Sequence, residues 1–298
     1  VSWGRVYFAV QAVAGGAWWV AVFTVPLVRE LTLGSLDPVA VAIADIPLFV
    51  LASTVAAVGV RAAAIVATGW TLLVALALAG YATVTTEAGW GVLVMAAAAG
   101  ASVIALSLII LGRVPTELVI AGPFAFRPAA PGARHVLVTF AQIAVFWGLF
   151  LVVLPTVIAL LERRWALDVA FPPFAPALGL VVLVLASALG LWSAVTMSRL
   201  GKGTPLPSAM PTSLVIAGPY RFVRNPMAVA GIVQGVAIGL LVSSWLVIGY
   251  AIAGSVLWNY AVRPHEERDL EERFGEEFRR YRETVRCWIP ILGRSGKD

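Results

Sequence analysis

A chain of 298 residues that is 60% hydrophobic and 12% charged, with a mean hydropathy of +0.93, is not an ordinary soluble domain. Such domains run at about 45–50% apolar and about 25% charged residues. The apolar runs are continuous, not alternating with period two, and each is long enough for a ~30 Å hydrocarbon core. An all-α polytopic membrane protein is therefore expected. One cysteine, Cys287, and two histidines, His135 and His265, leave no internal disulfide, no multi-cysteine metal site and no His-rich one. No metal is expected.

The first apolar run, from about Val6 to Val28, is too long and too lightly flanked for a cleaved signal peptide and reads as the first span. Further spans are expected at about 39–60, 63–85, 89–111, 136–160, 177–198, 226–242 and 245–262, about eight in all. Within them only Asp45 is ionisable. A charge at mid-membrane costs about 2.5–3.5 kcal/mol, but Asp45 lies near the end of its span beside Pro47, so it is expected to be solvated at the interface. Such scarcity of buried charge argues against an ion-coupled transporter.

With the N-terminus inside, all of the 21 basic residues except Arg29, Arg163 and Arg164 fall on one side. That bias sets orientation in membrane proteins, so both termini are expected in the cytoplasm. It reads as membrane anchoring, and no nucleic-acid partner is expected. Only Lys202 and Lys297 are lysines. This arginine preference, with the Ala, Val and Gly content, points to a GC-rich bacterial genome and hence to the inner (plasma) membrane.

An internal echo links Thr116-Glu-Leu-Val-Ile-Ala-Gly-Pro123 to Thr212-Ser-Leu-Val-Ile-Ala-Gly-Pro219. Chance and a decayed duplication both account for it; under duplication the first copy is structural and the second carries the chemistry. The second copy runs into Gly218-Pro-Tyr-Arg-Phe-Val-Arg-Asn-Pro226. Asn225 is suited to cap a helix and Pro226 to its first position. Free amides and a positive dipole end would then stand near Arg221 and Arg224, an anion site in outline. Positive-inside anchoring explains the same arginines.

The last two spans form a tight hairpin across Ser243-Ser244. Gly231, Gly235 and Gly239 repeat every four residues on the first of them, a face that lets another backbone, or a cofactor, come close. Beyond the hairpin, Leu270, Phe274, Phe278 and Tyr281 make the apolar stripe of an amphipathic cytoplasmic helix, with Gly275 as a kink or break. Glu271, Glu272, Glu276 and Glu277 are expected to be solvated. Glu266 and Glu267 return to the membrane level of Arg221 and Arg224. Two carboxylates and two guanidiniums there would make either a polar pocket for a zwitterionic cofactor or a structural ion-pair cluster.

The ordered set Gly218-Pro-Tyr-Arg-Phe-Val-Arg-Asn-Pro-Met227, a hairpin, Glu266-Glu-Arg-Asp-Leu270, Phe274-Gly275, Tyr281 and Trp288-Ile-Pro290 resembles the isoprenylcysteine carboxyl methyltransferase and phospholipid N-methyltransferase superfamily. Gly201-Lys-Gly-Thr-Pro205 also resembles its bacterial members. The likeness covers about residues 177–290. The family pattern Arg-His-Pro-x-Tyr stands here as Arg224-Asn225-Pro226-Met227-Ala228, and an asparagine cannot carry a proton.

The resemblance implies a membrane methyltransferase core over 177–298 behind a five-helix region, 1–161, without an assigned role. It further implies S-adenosylmethionine held between the hairpin and the C-terminal segment, and a lipophilic substrate arriving from the bilayer. Gly218, Pro219, Tyr220, Arg221, Asn225, Pro226, Gly231 and Glu266 are the implied cofactor contacts, and Arg224 and Glu267 the implied catalytic pair. A membrane reductase using a nicotinamide cofactor, and a non-catalytic lipid-binding or transport protein, remain the alternatives. Oligomeric state is not written in the sequence.

Overall fold

The computed structural model describes residues 2–120, 135–201 and 212–290. Lys202 to Pro205 of the Gly201 motif, the end of the first echo copy with Arg127 and Arg134, and Lys297 lie outside the described residues. Every regular element among the described residues is helical. In chain order these are α1 (Trp3–Thr24), α2 (Pro26–Leu33), α3 (Pro38–Ala57), α4 (Arg61–Thr85), α5 (Gly89–Ile110) and α6 (residues 135–164). Then follow α7 (Ala175–Leu200), α8 (Pro226–Leu241), α9 (Trp245–Leu257) and α10 (Arg263–Thr284). Among the described residues seven helices are long and apolar enough to cross a membrane, and the shorter apolar α8 adds an eighth. In hydrocarbon a backbone has only itself to bond to, and continuous helices meet that requirement. The chain is a polytopic helical membrane protein.

Prolines shape these helices. The first apolar run does not continue to Val28 as expected: α1 ends at Thr24 and Pro26 opens the separate helix α2. A proline disfavours helical backbone at the residue before it, and Val25 is extended. Three π-helical turns, Ile46–Leu51, Gly148–Val153 and Trp258–Val262, accompany Pro47, Pro155 and Pro264. Pro155 and Pro264 offer no N–H to the carbonyls of Leu151 and Tyr260 four residues earlier, and a wider turn accommodates that loss. Through the last of these turns α9 runs on into α10 without a break.

Two compact units emerge, residues 1–115 with 161–167 and residues 116–160 with 168–298. The first is built on α1 to α5, with Phe8, Ala56, Ala64, Ala67 and Ala105 buried together. A polar thread runs through it: Gln11 Nε2 donates to Ser53 Oγ (3.0 Å), and Ser102 Oγ donates to Gln11 Oε1 (2.9 Å). Tyr7 closes the thread by donating to the carbonyl of Ala98 (2.9 Å). Asp45 corrects the expectation of solvation. It is only 6% exposed, with Oδ2 accepting from Trp19 Nε1 (2.9 Å) and Oδ1 from Trp70 Nε1 (2.7 Å). The helix carrying it packs against both α1 and α4, so two indoles replace water.

Glu162, near the end of α6, is buried as well. Its neighbour Arg164, one of the three bases set apart from the rest, donates to the carbonyls of Thr83 (2.5 Å) and Val84 (2.8 Å). These are orphan carbonyls of the last turn of α4, and a guanidinium is a suitable cap for them.

In the second unit α8 packs on α7 and α9. The hairpin turn is as tight as its two serines indicate: Ser243 has positive φ, and Ser244 caps α9 by accepting from the amide of Val247 (3.1 Å). Gly235 and Gly239 are occupied by that helix contact. A Cβ on Gly239 would stand 2.5 Å from Ile248 Cγ1 and 2.9 Å from the backbone nitrogen of Ile248. Gly231, on the same helix, would meet nothing within 4 Å. Gly239→Ala should therefore destabilise the protein by about 1–3 kcal/mol through overpacking, while Gly231→Ala should be neutral or slightly stabilising. Thermal unfolding of the two variants in one detergent tests this; equal midpoints would be the contrary result.

Candidate functional site

The 218–226 stretch folds from local chemistry. Gly218 takes φ +57°, a backbone state in which a side chain is strained, and a Cβ there would press on Thr196 Oγ1 at 3.0 Å. A single 3-10 turn, Gly218–Arg221, follows. Asn225 then caps α8 as its sequence indicates, with Oδ1 accepting from the amide of Ala228 (3.0 Å). Pro226 takes the first helical position and is buried.

The C-terminal segment folds back over this turn. Phe278, Tyr281 and Val285 form a buried cluster with Leu214, Leu270 and Phe274 around it, so the apolar stripe of α10 covers protein. Gly275 interrupts the helix with φ +53°. Tyr281 donates to the carbonyl of Tyr220 (2.6 Å), and the amide of Arg224 donates to the carbonyl of Arg286 (3.0 Å). Further along, Trp288 Nε1 donates to Asn259 Oδ1 (3.0 Å), and its ring meets Trp258 edge-on at 5.2 Å. Of the four glutamates expected to be solvated on α10, Glu272, Glu276 and Glu277 are exposed and Glu271 is half-buried. Glu271 pairs with Arg279 and Arg282, both at 2.8 Å, and Glu276 pairs with Arg279. Arg279 bonding pulls Glu271 below the usual carboxylate range, with Arg282 adding to it.

Between the turn, the start of α10 and the returning segment lies a pocket. Arg224 stands in its wall with side-chain exposure of 13%. Its Nη2 donates to Glu267 Oε1 (2.7 Å), and its Nη1 to the carbonyls of Arg282 (3.0 Å) and Val285 (2.7 Å). Its Nε is buried and makes no hydrogen bond among the described residues. Arg263, one helical turn before Glu267, approaches the same Oε1 at 3.9 Å. Asn225 Nδ2 donates to Glu266 Oε2 (3.3 Å). Burial, followed by the neighbouring Glu267 carboxylate, pushes Glu266 up to about 7. Burial likewise raises the Cys287 thiol and the phenols of Tyr220 and Tyr281, which stay protonated at neutral pH.

The structure brings Tyr220, Arg224, Asn225, Glu266 and Glu267 together as pocket lining. Arg221 is separated from them: it is exposed, with its guanidinium 5.6 Å from the centre of the Phe222 ring. Gly218, Pro219 and Pro226 shape the turn behind the lining, and Gly231 lies further along α8. Sequence reasoning passed over Trp258, Arg263 and Cys287, which also line the pocket. Arg263 had a signal, its i,i+4 spacing to Glu267; Cys287 had none. It also passed over the contact of Thr116, at the head of the first echo copy, with His265 Nε2 (3.0 Å).

Chemically the pocket offers carboxylates for a cation, a guanidinium donor for an anion, and apolar walls from Met197, Leu270 and Phe274. Its free volume is about 80 Å³, against roughly 300–1,000 Å³ for small-molecule sites. A nucleoside-sized ligand requires its walls to part.

Against known families, residues 174–277 match the one described as phospholipid methyltransferase (PEMT). The matched family is part of the isoprenylcysteine/phospholipid methyltransferase superfamily, and the match covers about a third of the chain. No curated protein and no solved structure matches the chain.

The raised Glu266 has a consequence for stability. The folded protein holds a proton on it between about pH 4.5 and about 7 that the unfolded chain has released, so stability falls as pH rises through that window. Glu266→Gln, which keeps an acceptor for Asn225, should raise the unfolding temperature above pH 8 and change it little near pH 5. Parallel melting curves at the two pH values check this; an equal shift at both would contradict it.

Proposed function

We propose, from the match of residues 174–277 to the phospholipid methyltransferase family, that this membrane protein uses S-adenosylmethionine to methylate a lipophilic substrate. An isoprenoid or prenyl carboxylate, as in the isoprenylcysteine-directed branch, and a lipid head group are the two substrate classes. The observation that carries the reading is the joint one of Arg224 with Glu267 and Asn225 with Glu266 in a single pocket.

When bound, the cofactor supplies a methyl group activated on a cationic sulfonium. The carboxylates of Glu266 and Glu267 suit that cation. The unpaired Nε of Arg224 and the free amides at the start of α8 suit an amino-acid carboxylate. Gly218, Pro219, Tyr220, Asn225, Pro226 and Glu266 are the proposed cofactor-binding set, and Arg224 with Glu267 the catalytic pair. Their work is mainly positioning, since methyl transfer is an in-line displacement. Asn225 cannot shuttle a proton, whereas Glu266, held near neutrality, can accept one at working pH. Because the pocket is tight, ligand entry moves α10 or the segment before α8.

S-adenosylhomocysteine should raise the unfolding temperature of the purified protein, and a nicotinamide dinucleotide should not. Glu266→Gln and Glu267→Gln should each weaken that stabilisation at least about ten-fold in ligand concentration, the loss of one charge-assisted contact. Stabilisation by the dinucleotide alone would favour a reductase and end the proposal.

The basic-residue bias supports an orientation in a bacterial inner membrane with both termini in the cytoplasm. A reporter fused after Asp298 should accordingly read cytoplasmic, and a signal from the opposite side would reverse the assignment.

A further inference from the structure

The first unit contains its own cavity, of about 550 Å³, lined mainly by residues of α1 to α5. That volume falls within the roughly 300–1,000 Å³ range of small-molecule sites. Most of the lining is aliphatic, which selects a hydrophobic body. Five aromatic side chains, Tyr7, Trp18, Phe49, Trp70 and Tyr81, share it with one acid, Asp45, and with no basic residue.

Asp45 is the informative member. Its two oxygens accept from Trp19 and Trp70, one each. An indole N–H can only donate, so both carboxyl oxygens are held as acceptors, a role that suits an ionised carboxylate. Each oxygen keeps a further lone pair. A buried anion beside an apolar cavity is costly unless a cation meets it, and the described lining supplies none. Aromatic faces attract alkylammonium groups by their quadrupoles, most strongly when water is absent. Shape, charge and ring content thus point to one ligand chemistry.

We propose that this cavity binds a lipid-soluble amine, an apolar body bearing one protonated or quaternary ammonium group, with Asp45 as counter-ion and the surrounding rings as its cage. The inference rests on the first unit alone and is independent of the methyltransferase reading.

The full-length protein in a neutral detergent, probed by native mass spectrometry with dodecyltrimethylammonium, dodecanol and dodecanoate, provides the test. One ammonium should bind saturably, at least about ten-fold tighter than the alcohol, with the carboxylate weakest. Asp45→Asn should bring ammonium and alcohol to the same affinity. Ala44→Phe, a cavity-lining position beside Asp45, should block both and so assign the binding to this cavity. Equal affinity of the wild-type protein for ammonium and alcohol, tightest binding of dodecanoate, or ammonium binding that survives Ala44→Phe would each overturn the proposal. Because the head-group comparison uses the unaltered protein, it decides the matter even if a variant fails to fold.

Discussion

The guanidinium of Arg224 is the interaction on which the second unit's polar pocket depends. It reaches Glu267 and the carbonyls of Arg282 and Val285, while its own amide meets the carbonyl of Arg286. One residue thereby joins the turn before α8, the head of α10 and the chain beyond α10. The charged donor makes the three guanidinium bonds stronger than neutral ones. The rest follows from that closure: Tyr281 reaches the Tyr220 carbonyl, Phe278 is sealed over Leu214, and the acidic pair is drawn under cover. The same closure leaves the pocket narrow. A site built this way is well ordered and must open to work.

Proline supplies the second constraint. A membrane helix cannot leave a backbone carbonyl without a donor, yet Pro47, Pro155 and Pro264 each withhold one. The π-helical turns beside them absorb the deficit and rotate the helix that follows. Arg263, Glu266 and Glu267 follow directly on the turn Trp258–Val262. At Ile46–Leu51 the turn begins directly after Asp45. Two of the three turns therefore border the residues with the most consequential charge.

The two polar centres solve the burial of charge differently. At Arg224 the negative charge of Glu267 is paired within the protein, and Glu266 is accommodated by a raised affinity for its proton. At Asp45 the carboxylate receives only dipoles, from two indoles. Pairing inside the protein favours a structure that is complete in itself. Solvation by dipoles alone leaves charge for a ligand to neutralise.

Local physics was readable from residue order. Apolar length predicted the spans, Asn225-Pro226 predicted the start of α8, Ser243-Ser244 its hairpin, and Gly275 the break in α10, because each depends on neighbours within a turn or two. The approach of Glu266 and Glu267 to Arg224 was also foreseeable, since two helices of similar length return the chain to the same membrane level. Tertiary structure alone decided the remainder. It chose Arg224 over Arg221 for the pocket, gave Gly235 and Gly239 to helix contact, added Cys287 to the pocket wall, and buried Asp45 between Trp19 and Trp70. Those outcomes turn on which faces of distant helices meet. Composition in a chain so uniformly apolar carries almost no signal about helix faces, whereas a single polar contact across the bundle is enough to set them.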